Sequence, residues 1–289
     1  MQSTAPETAP FDPGAERHDA SLYRPTSLAH QVETLADVGP AEIEFYREHG
    51  YLSVRRAFTA EETRSALEGL LHLIEGGNPD FKGIMFEAAA RAILATLTLD
   101  QRQDAVRKLY SFVDYDKRLH ATAFHPALLA VITRLLGDRS PAMFQDMALI
   151  KPPRLGREKP WHQDHAYFNY PLGTPIVGVW IALDEATIEN GCMQLLPGRH
   201  REGPRIHFAR RDWQICDRDV LGQESVAAPL PPGGLLFFDG LLPHGTPHND
   251  SGSRRRALQF HYAPKDVQKL SDDEERLRAF GSEGKNVTC

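Results

Sequence analysis

The string Trp161-His162-Gln163-Asp164 places an imidazole and a carboxylate two residues apart. On an extended strand, residues i and i+2 face the same side, about 7 Å apart along the chain. The spacing therefore predicts that His162 and Asp164 project together into one interior. They supply two of the three groups of the 2-His-1-carboxylate arrangement, which binds Fe(II) and leaves three coordination positions open. An HxD string alone is short, and a strand histidine is commonly a structural residue. A second segment about 80 residues on adds what is missing: Gly233-Gly234, the apolar run LLFFDG, and then LLPHGTPHNDSGSRRRALQFHY. His244 follows the apolar run, and Arg255 stands eleven residues further, sharing a strand face with Ala257 and Gln259. A buried arginine needs an anion, and a planar guanidinium suits a bidentate carboxylate. The segment thus predicts a metal ligand and a dock for a dicarboxylate. Two of the three arginines 254–256 read as a solvated charged edge.

Other histidines compete. His165 follows Asp164 and is expected to face away from the metal, at the lip or the surface. His248 lies in a Pro-rich turn, and His200 ends a turn where a structural hydrogen bond is expected. His261 shares a face with Gln259, but a fourth protein ligand would fill positions that the chemistry needs open. The expected triad is His162, Asp164 and His244.

Two kinds of segment must position these groups. From about residue 142, short runs rich in β-branched and aromatic residues (AMFQDMALI, PWHQDHAYF, PIVGVWIAL, GCMQLLP, GGLLFFDG, RALQFHYAP) alternate with Pro/Gly/Asn turns, the pattern of an antiparallel sandwich or jelly roll. The preceding part reads helical. Pro40 opens one helix that Gly50 closes. Thr59 with Glu62 forms a capping box before Leu67, Leu70, Leu71 and Ile74, and Gly76-Gly77 ends that helix. Residues 84–97 and 101–112 are further helix candidates, and 125–136 carries an apolar face ending at Gly137. The expected fold is mainly β with flanking helices around a double-stranded β-helix (jelly-roll, cupin-like) core. Residues 1–38, rich in Pro, Ala, Ser and Thr, are expected as a disordered or loosely packed arm. Residues 39–270 are then expected as a single domain, helical over 39–140 with its jelly-roll core at 141–265, followed by a tail at 271–289.

Composition narrows the function classes. The 289 residues carry 33 basic and 39 acidic side chains, a net charge of −6. Without a basic face the chain is not expected to bind nucleic acid. No apolar run reaches a membrane span, and the N-terminus has no signal-peptide core, so a cytoplasmic protein is expected. Cys192, Cys216 and Cys289 are odd in number and far apart, and are expected to form neither a disulfide framework nor a CxxC site.

Several spaced motifs resemble the phytanoyl-CoA dioxygenase family of Fe(II)/2-oxoglutarate oxygenases over roughly residues 40–265. They are His162-Gln163-Asp164, Trp180-Ile181-Ala182-Leu183-Asp184, Asn190-Gly191-Cys192 through Leu196-Pro197-Gly198-Arg199-His200, His244-Gly245-Thr246, and Arg255. The resemblance implies iron held by His162, Asp164 and His244, and 2-oxoglutarate and O2 as co-substrates. It also implies Arg255, Thr246, Trp180 and Met147 (ahead of Lys151-Pro152-Pro153) around 2-oxoglutarate. Lys108 is the nearest match to a lysine that reaches the co-substrate in some members, although aligning it requires a gap. The implied activity is hydroxylation of an unactivated carbon of a small organic molecule, releasing succinate and CO2. Asp164 itself favours hydroxylation, because related halogenases lack this carboxylate.

The aromatic stretch His165 to Tyr170 is expected to overhang the mouth, with residues 76–100 adding a lid. The arginines at 199, 201, 205, 210 and 211 read either as a site for the phosphates of a CoA ester or as a solvated loop. Two alternatives stand beside the oxygenase: a catalytically silent jelly-roll metal-binding scaffold, and a hydrolytic zinc site, which would not need Arg255. Substrate and oligomeric state are not legible.

Overall fold

The β-branched and aromatic runs form two facing sheets in a computed structural model of the chain, which describes residues 17–282 and Cys289. The larger sheet has eight strands, in the order Gln31–Val32, Tyr51–Val54, Leu235–Asp239, Val177–Ala182, Arg255–Pro264, Pro141–Lys151, Val106–Tyr110 and Ile84–Phe86. The smaller has five, in the order Ser27–Leu28, Val226–Ala228, Met193–Leu195, His244–Thr246 and Lys159–His162. Pairing is antiparallel except where Ser27–Leu28 and Gln31–Val32 join their neighbours in parallel. This is the expected jelly roll with helices outside.

Each strand sends alternate residues to opposite faces, and this divides the core in two. Leu52, Val179, Phe237, Leu258 and Phe260 leave the outer face of the large sheet and pack with Leu70, Leu73 and Ile132 from the helices. Trp180, Ala182, Leu236, Phe238 and Ala257 point inward and meet Met193, Leu195 and Ala227 of the small sheet. The helices form as expected at Pro40–His49, Ala60–Glu75 and Pro126–Leu135. The capping box of Thr59 and Glu62 is present, and Gly50 ends the first helix at φ +79°, a left-handed position that glycine takes without strain.

Several expectations are corrected. Residues 84–97 form strand Ile84–Phe86 and the 3-10 segment Ala88–Thr96, not a helix. In 101–112 the helix, Leu99–Asp104, is short and gives way to strand Val106–Tyr110. Tertiary pairing overrides helix propensity there. The strand hydrogen-bonds to Pro141–Lys151, and the chain then turns at Ser111, where Asp146 accepts the backbone N–H groups of Ser111, Phe112 and Val113 at 2.8, 2.6 and 2.8 Å.

Residues 17–38, expected as a loose arm, are tied down: they add a strand to each sheet, and Leu22 O accepts a bond from Trp161 Nε1 at 3.0 Å. Residues 1–16 of that arm lie outside the described residues. The expectation of no disulfide is also corrected. Cys216 and Cys289 are bridged across 73 residues with a Cα separation of 5.5 Å, a proximity that linear spacing does not encode, and Cys192 is free and buried. The tail contributes helix Glu274–Phe280, and Phe280 is fully buried. Among the described residues, no helix is long and apolar enough to cross a membrane.

Candidate metal and anion site

His244 and His162 are Cα partners on neighbouring antiparallel strands of the small sheet, so a sequence gap of about 80 residues closes to one rung. Each imidazole is oriented the same way. His162 Nδ1 donates to Pro160 O at 2.7 Å, and His244 Nδ1 donates to Leu242 O at 2.9 Å. Both Nε2 atoms are thereby left as lone-pair donors facing the interior, the arrangement that fixes the tautomer of a metal-ligating histidine. Asp164 Oδ1 lies 3.1 Å from His162 Nε2, and Oδ2 lies 3.7 Å from His244 Nε2. The three residues offer ligand atoms all within 4.8 Å of one another, and all three are buried.

The strand expected to carry both His162 and Asp164 ends at His162, and Asp164 opens a 3-10 turn over Asp164–Tyr167. The carboxylate still meets the imidazole because the intervening Gln163 fixes the turn. Its Nε2 donates to Gly203 O and Leu241 O at 2.9 and 2.7 Å, and its Oε1 accepts from Arg205 N at 2.8 Å. His207 Nε2 accepts the Gln163 backbone N–H at 3.0 Å, and burial pushes this imidazole down to about 3, so it stays neutral and able to accept.

Charge in this interior follows the same logic. Burial would raise the Asp164 carboxyl, but the imidazoles around it, His244 and His261 foremost, hold it well below the usual carboxylate range. Burial pushes His244 down to about 3, leaving a neutral nitrogen ready for a metal.

Arg255 is 1% exposed and lies over the Trp180 ring, its guanidinium carbon 5.2 Å from the centroid. Its Nε and Nη1, and the Trp180 Nε1, are buried without a hydrogen-bond partner. Burial pushes Arg255 down to about 10, so it is charged at neutral pH. Buried donors without an acceptor, on a buried guanidinium, fit a carboxylate ligand. The flanking arginines are committed elsewhere, Arg254 to Asp104 and Arg256 to Asp184, so only the middle one points in. Lys151, the strand partner of Arg255, is staked to the backbone carbonyls of Arg157, Thr246 and Pro247. Burial, with the charge of Arg255, pulls its ammonium well below the ordinary lysine value.

The eight residues singled out in the sequence — His162, Asp164, His244, Arg255, Thr246, Trp180, Met147 and Lys108 — all line one cavity of about 510 Å³. Lys108 stands two strands away from Arg255, and burial, with Lys159 and Arg107 nearby, lowers its pKa. Tyr167 and Phe168 of the aromatic stretch also line the cavity, as does Glu87 from the segment expected as a lid. His165 is not a lip residue: it is buried and stacks on Phe280, at a centroid distance of 5.9 Å. His200 makes the expected structural bond, to Arg47 O at 3.1 Å. The arginines considered for CoA phosphates do not line the cavity. Arg199 and Arg205 pair with Glu202, and Arg211 pairs with Glu158 and Asp217. Gln163, His207 and the Asp164 contact of His261 were not singled out from the sequence. The inward alternation of strand Arg255–Pro264 is the one signal that pointed toward the last.

A family model described as phytanoyl-CoA dioxygenase (PhyH) matches residues 46–257. The chain belongs to that family. Within the phytanoyl-CoA dioxygenase family it is similar to phytanoyl-CoA dioxygenase domain-containing protein 1 of Danio rerio, with 33% identity over 131 residues, 42% of this chain and 45% of the relative. The chain spans about half the length of several such relatives. A longer match, 27% identical and covering 86% of this chain and 80% of the relative, is to peroxisomal phytanoyl-CoA dioxygenase of Bos taurus. In fold it is similar to EvdO2 from Micromonospora carbonacea var. aurantiaca, solved with 2-oxoglutarate. The TM-score is 0.65 at 23% identity, over 86% of this chain and 99% of that one.

Proposed function

We propose that this chain is an Fe(II)- and 2-oxoglutarate-dependent dioxygenase that hydroxylates an unactivated carbon of a small organic molecule. The net reaction is R–H + O2 + 2-oxoglutarate → R–OH + succinate + CO2. The observation that carries the reading is the unpartnered, buried Arg255 guanidinium in the same cavity as the His162-Asp164-His244 group. A zinc hydrolase or a silent scaffold has no use for a desolvated cation beside two histidines and a carboxylate.

In this reading His162, Asp164 and His244 hold the iron. Arg255 takes the far carboxylate of 2-oxoglutarate with its guanidinium, Thr246 and Trp180 add donors beside it, Met147 closes the pocket, and Lys108 is a further cation for the co-substrate. Iron chelated by 2-oxoglutarate supplies the activation of O2, coupled to oxidative decarboxylation, that hydroxylation needs. The chain's own part is placement and dryness. The Pro160 and Leu242 carbonyls fix the imidazoles, and the wall around Trp180 excludes water, which strengthens every charge interaction inside. The cavity is within the range of small-molecule sites.

The test is an anaerobic titration of metal-free protein with Fe(II) and then 2-oxoglutarate, watching for the visible metal-to-ligand charge-transfer band. Its appearance supports chelation and opens a substrate screen scored by succinate release. Binding without the band, or no binding, overturns the reading.

A further inference from the structure

Behind the three candidate ligands, strand Arg255–Pro264 presents Arg255, Ala257, Gln259 and His261 inward by alternation. The last two converge on one atom. Gln259 Nε2 lies 3.1 Å and His261 Nε2 2.7 Å from Asp164 Oδ2, while Asp164 Oδ1 faces His162 Nε2 at 3.1 Å. An ionised carboxylate oxygen only accepts, so both groups must donate to it. Gln259 therefore turns its amide nitrogen, not its oxygen, toward Asp164. His261 carries its proton on Nε2, and its Nδ1 is buried without a hydrogen-bond partner. The 3.4 Å between the two donor nitrogens is the spacing of two groups sharing one acceptor.

The imidazole is held in this pose. Phe144, Phe168 and Phe238 surround it, at ring-centroid distances of 6.0, 4.9 and 6.1 Å. Phe238 also packs on His244 at 4.7 Å. Room for Phe238 comes from Gly178, the strand partner of both Phe238 and His261. A Cβ at Gly178 would come within 2.3 Å of the Phe238 ring. A histidine so enclosed is not free to swing in as a fourth ligand.

Resting on the oxygenase reading above, we propose that His261, with Gln259, is a positioning residue that commits Asp164 Oδ2 to hydrogen bonding and leaves Oδ1 as the single oxygen offered to the metal. Two donors on Oδ2 oppose chelation by both carboxylate oxygens. Chelation would consume a coordination position that the co-substrate or O2 requires. Outer partners of this kind typically change metal affinity 10–100-fold.

The test uses Co(II) as the probe, with the full-length protein and its His261→Phe, His261→Gln and Gln259→Leu variants. Affinity is read by chelator competition, coordination by the visible d–d spectrum, and folding by thermal melting. The expected result for folded His261→Phe is Co(II) binding weakened about 10–100-fold with an altered d–d spectrum. His261→Gln, which restores a donor, should recover most of both. Wild-type affinity and spectrum in folded His261→Phe would overturn the proposal. So would a Gln variant as impaired as the Phe variant, because packing rather than donation would then be at work. Should His261→Phe not fold, Gln259→Leu decides in its place: the same direction of change supports the proposal, and an unchanged site overturns it. A wild-type protein that binds no Co(II) sinks the oxygenase reading itself, an outcome distinct from wild-type binding with indifferent variants.

Discussion

Replacing Arg255 by methionine should move affinity and stability in opposite directions. The guanidinium is 1% exposed, and two of its nitrogens have no partner. Its fall from 12.5 to about 10 on burial corresponds to about 3 kcal/mol by which the interior disfavours its charge. The contact with the Trp180 face returns about 1–2 kcal/mol of that. Methionine keeps an apolar stem in the space and removes the charge. The metal-free variant should therefore unfold about 1–2 kcal/mol less readily, and melt about 2–8 °C higher at about 2–4 °C per kcal/mol. Binding of 2-oxoglutarate loses about two hydrogen bonds from a charged donor, about 1.5–3 kcal/mol each, which is a weakening of about 100–10,000-fold. The assays are thermal melting of the apo protein and anaerobic titration of the Fe(II) protein with 2-oxoglutarate. Excess 2-oxoglutarate should raise the melting point of the wild type and leave that of the variant unmoved. An affinity within threefold of wild type would refute the anion dock, and a destabilised apo variant would refute the claim that burying the Arg255 charge costs stability.

Asp164→Ala should abolish substrate-dependent succinate release and weaken Co(II) binding by more than 100-fold, checked by coupled assay and chelator competition. Gln163→Leu leaves the Gly203 and Leu241 carbonyls and the Arg205 N–H without partners. It should cost about 2–4 kcal/mol in urea unfolding and lower metal affinity, because the Asp164 turn loosens. Burial pushes the Cys192 thiol up to about 12, so at pH 8 the native oxidised protein should show no thiol reactive toward a disulfide reagent. One should appear in denaturant and three after reduction. A reactive thiol in the native oxidised protein would contradict the burial of Cys192. In a reducing cytosol, Cys216 and Cys289 are expected as thiols.

Much of the site was legible because it is built from local signals. The inward alternation of Arg255 with Ala257 and Gln259 needs only strand periodicity. Gly50 and Gly76 mark helix ends through a backbone conformation that few other residues adopt. What was not legible depends on partners distant in sequence. Residues 106–110 carry no strand alternation, and they become a strand because Pro141–Lys151 offers an edge and Asp146 gathers the following turn. Asp164 leaves its strand because Gln163 is pinned by loops at 203–205 and 241, none of them recognisable as its neighbours. His261 was seen to share the inward face, but its bond to Asp164 spans 97 residues. His165 was misplaced because the helix that covers it lies beyond residue 270.

That late helix bears on how the protein is made. Arg276 donates to Ala166 O and to Asn169 Oδ1, Glu275 accepts from Leu172 N, and Phe280 lies against His165, so Glu274–Phe280 clasps the loop that opens with Asp164. During synthesis the sheets have every strand available once Pro264 has emerged, yet the carboxylate-bearing loop still lacks its cover. At that stage both histidines can be in register and Asp164 can already be held through Gln163, Gln259 and His261, while the segment 165–172 behind it is still uncovered. The order of residues along the chain thus lets all three candidate ligands come together without the helix that covers the neighbouring loop, and a chain cut after Pro264 would keep the ligands while baring His165 and the loop at 166–172.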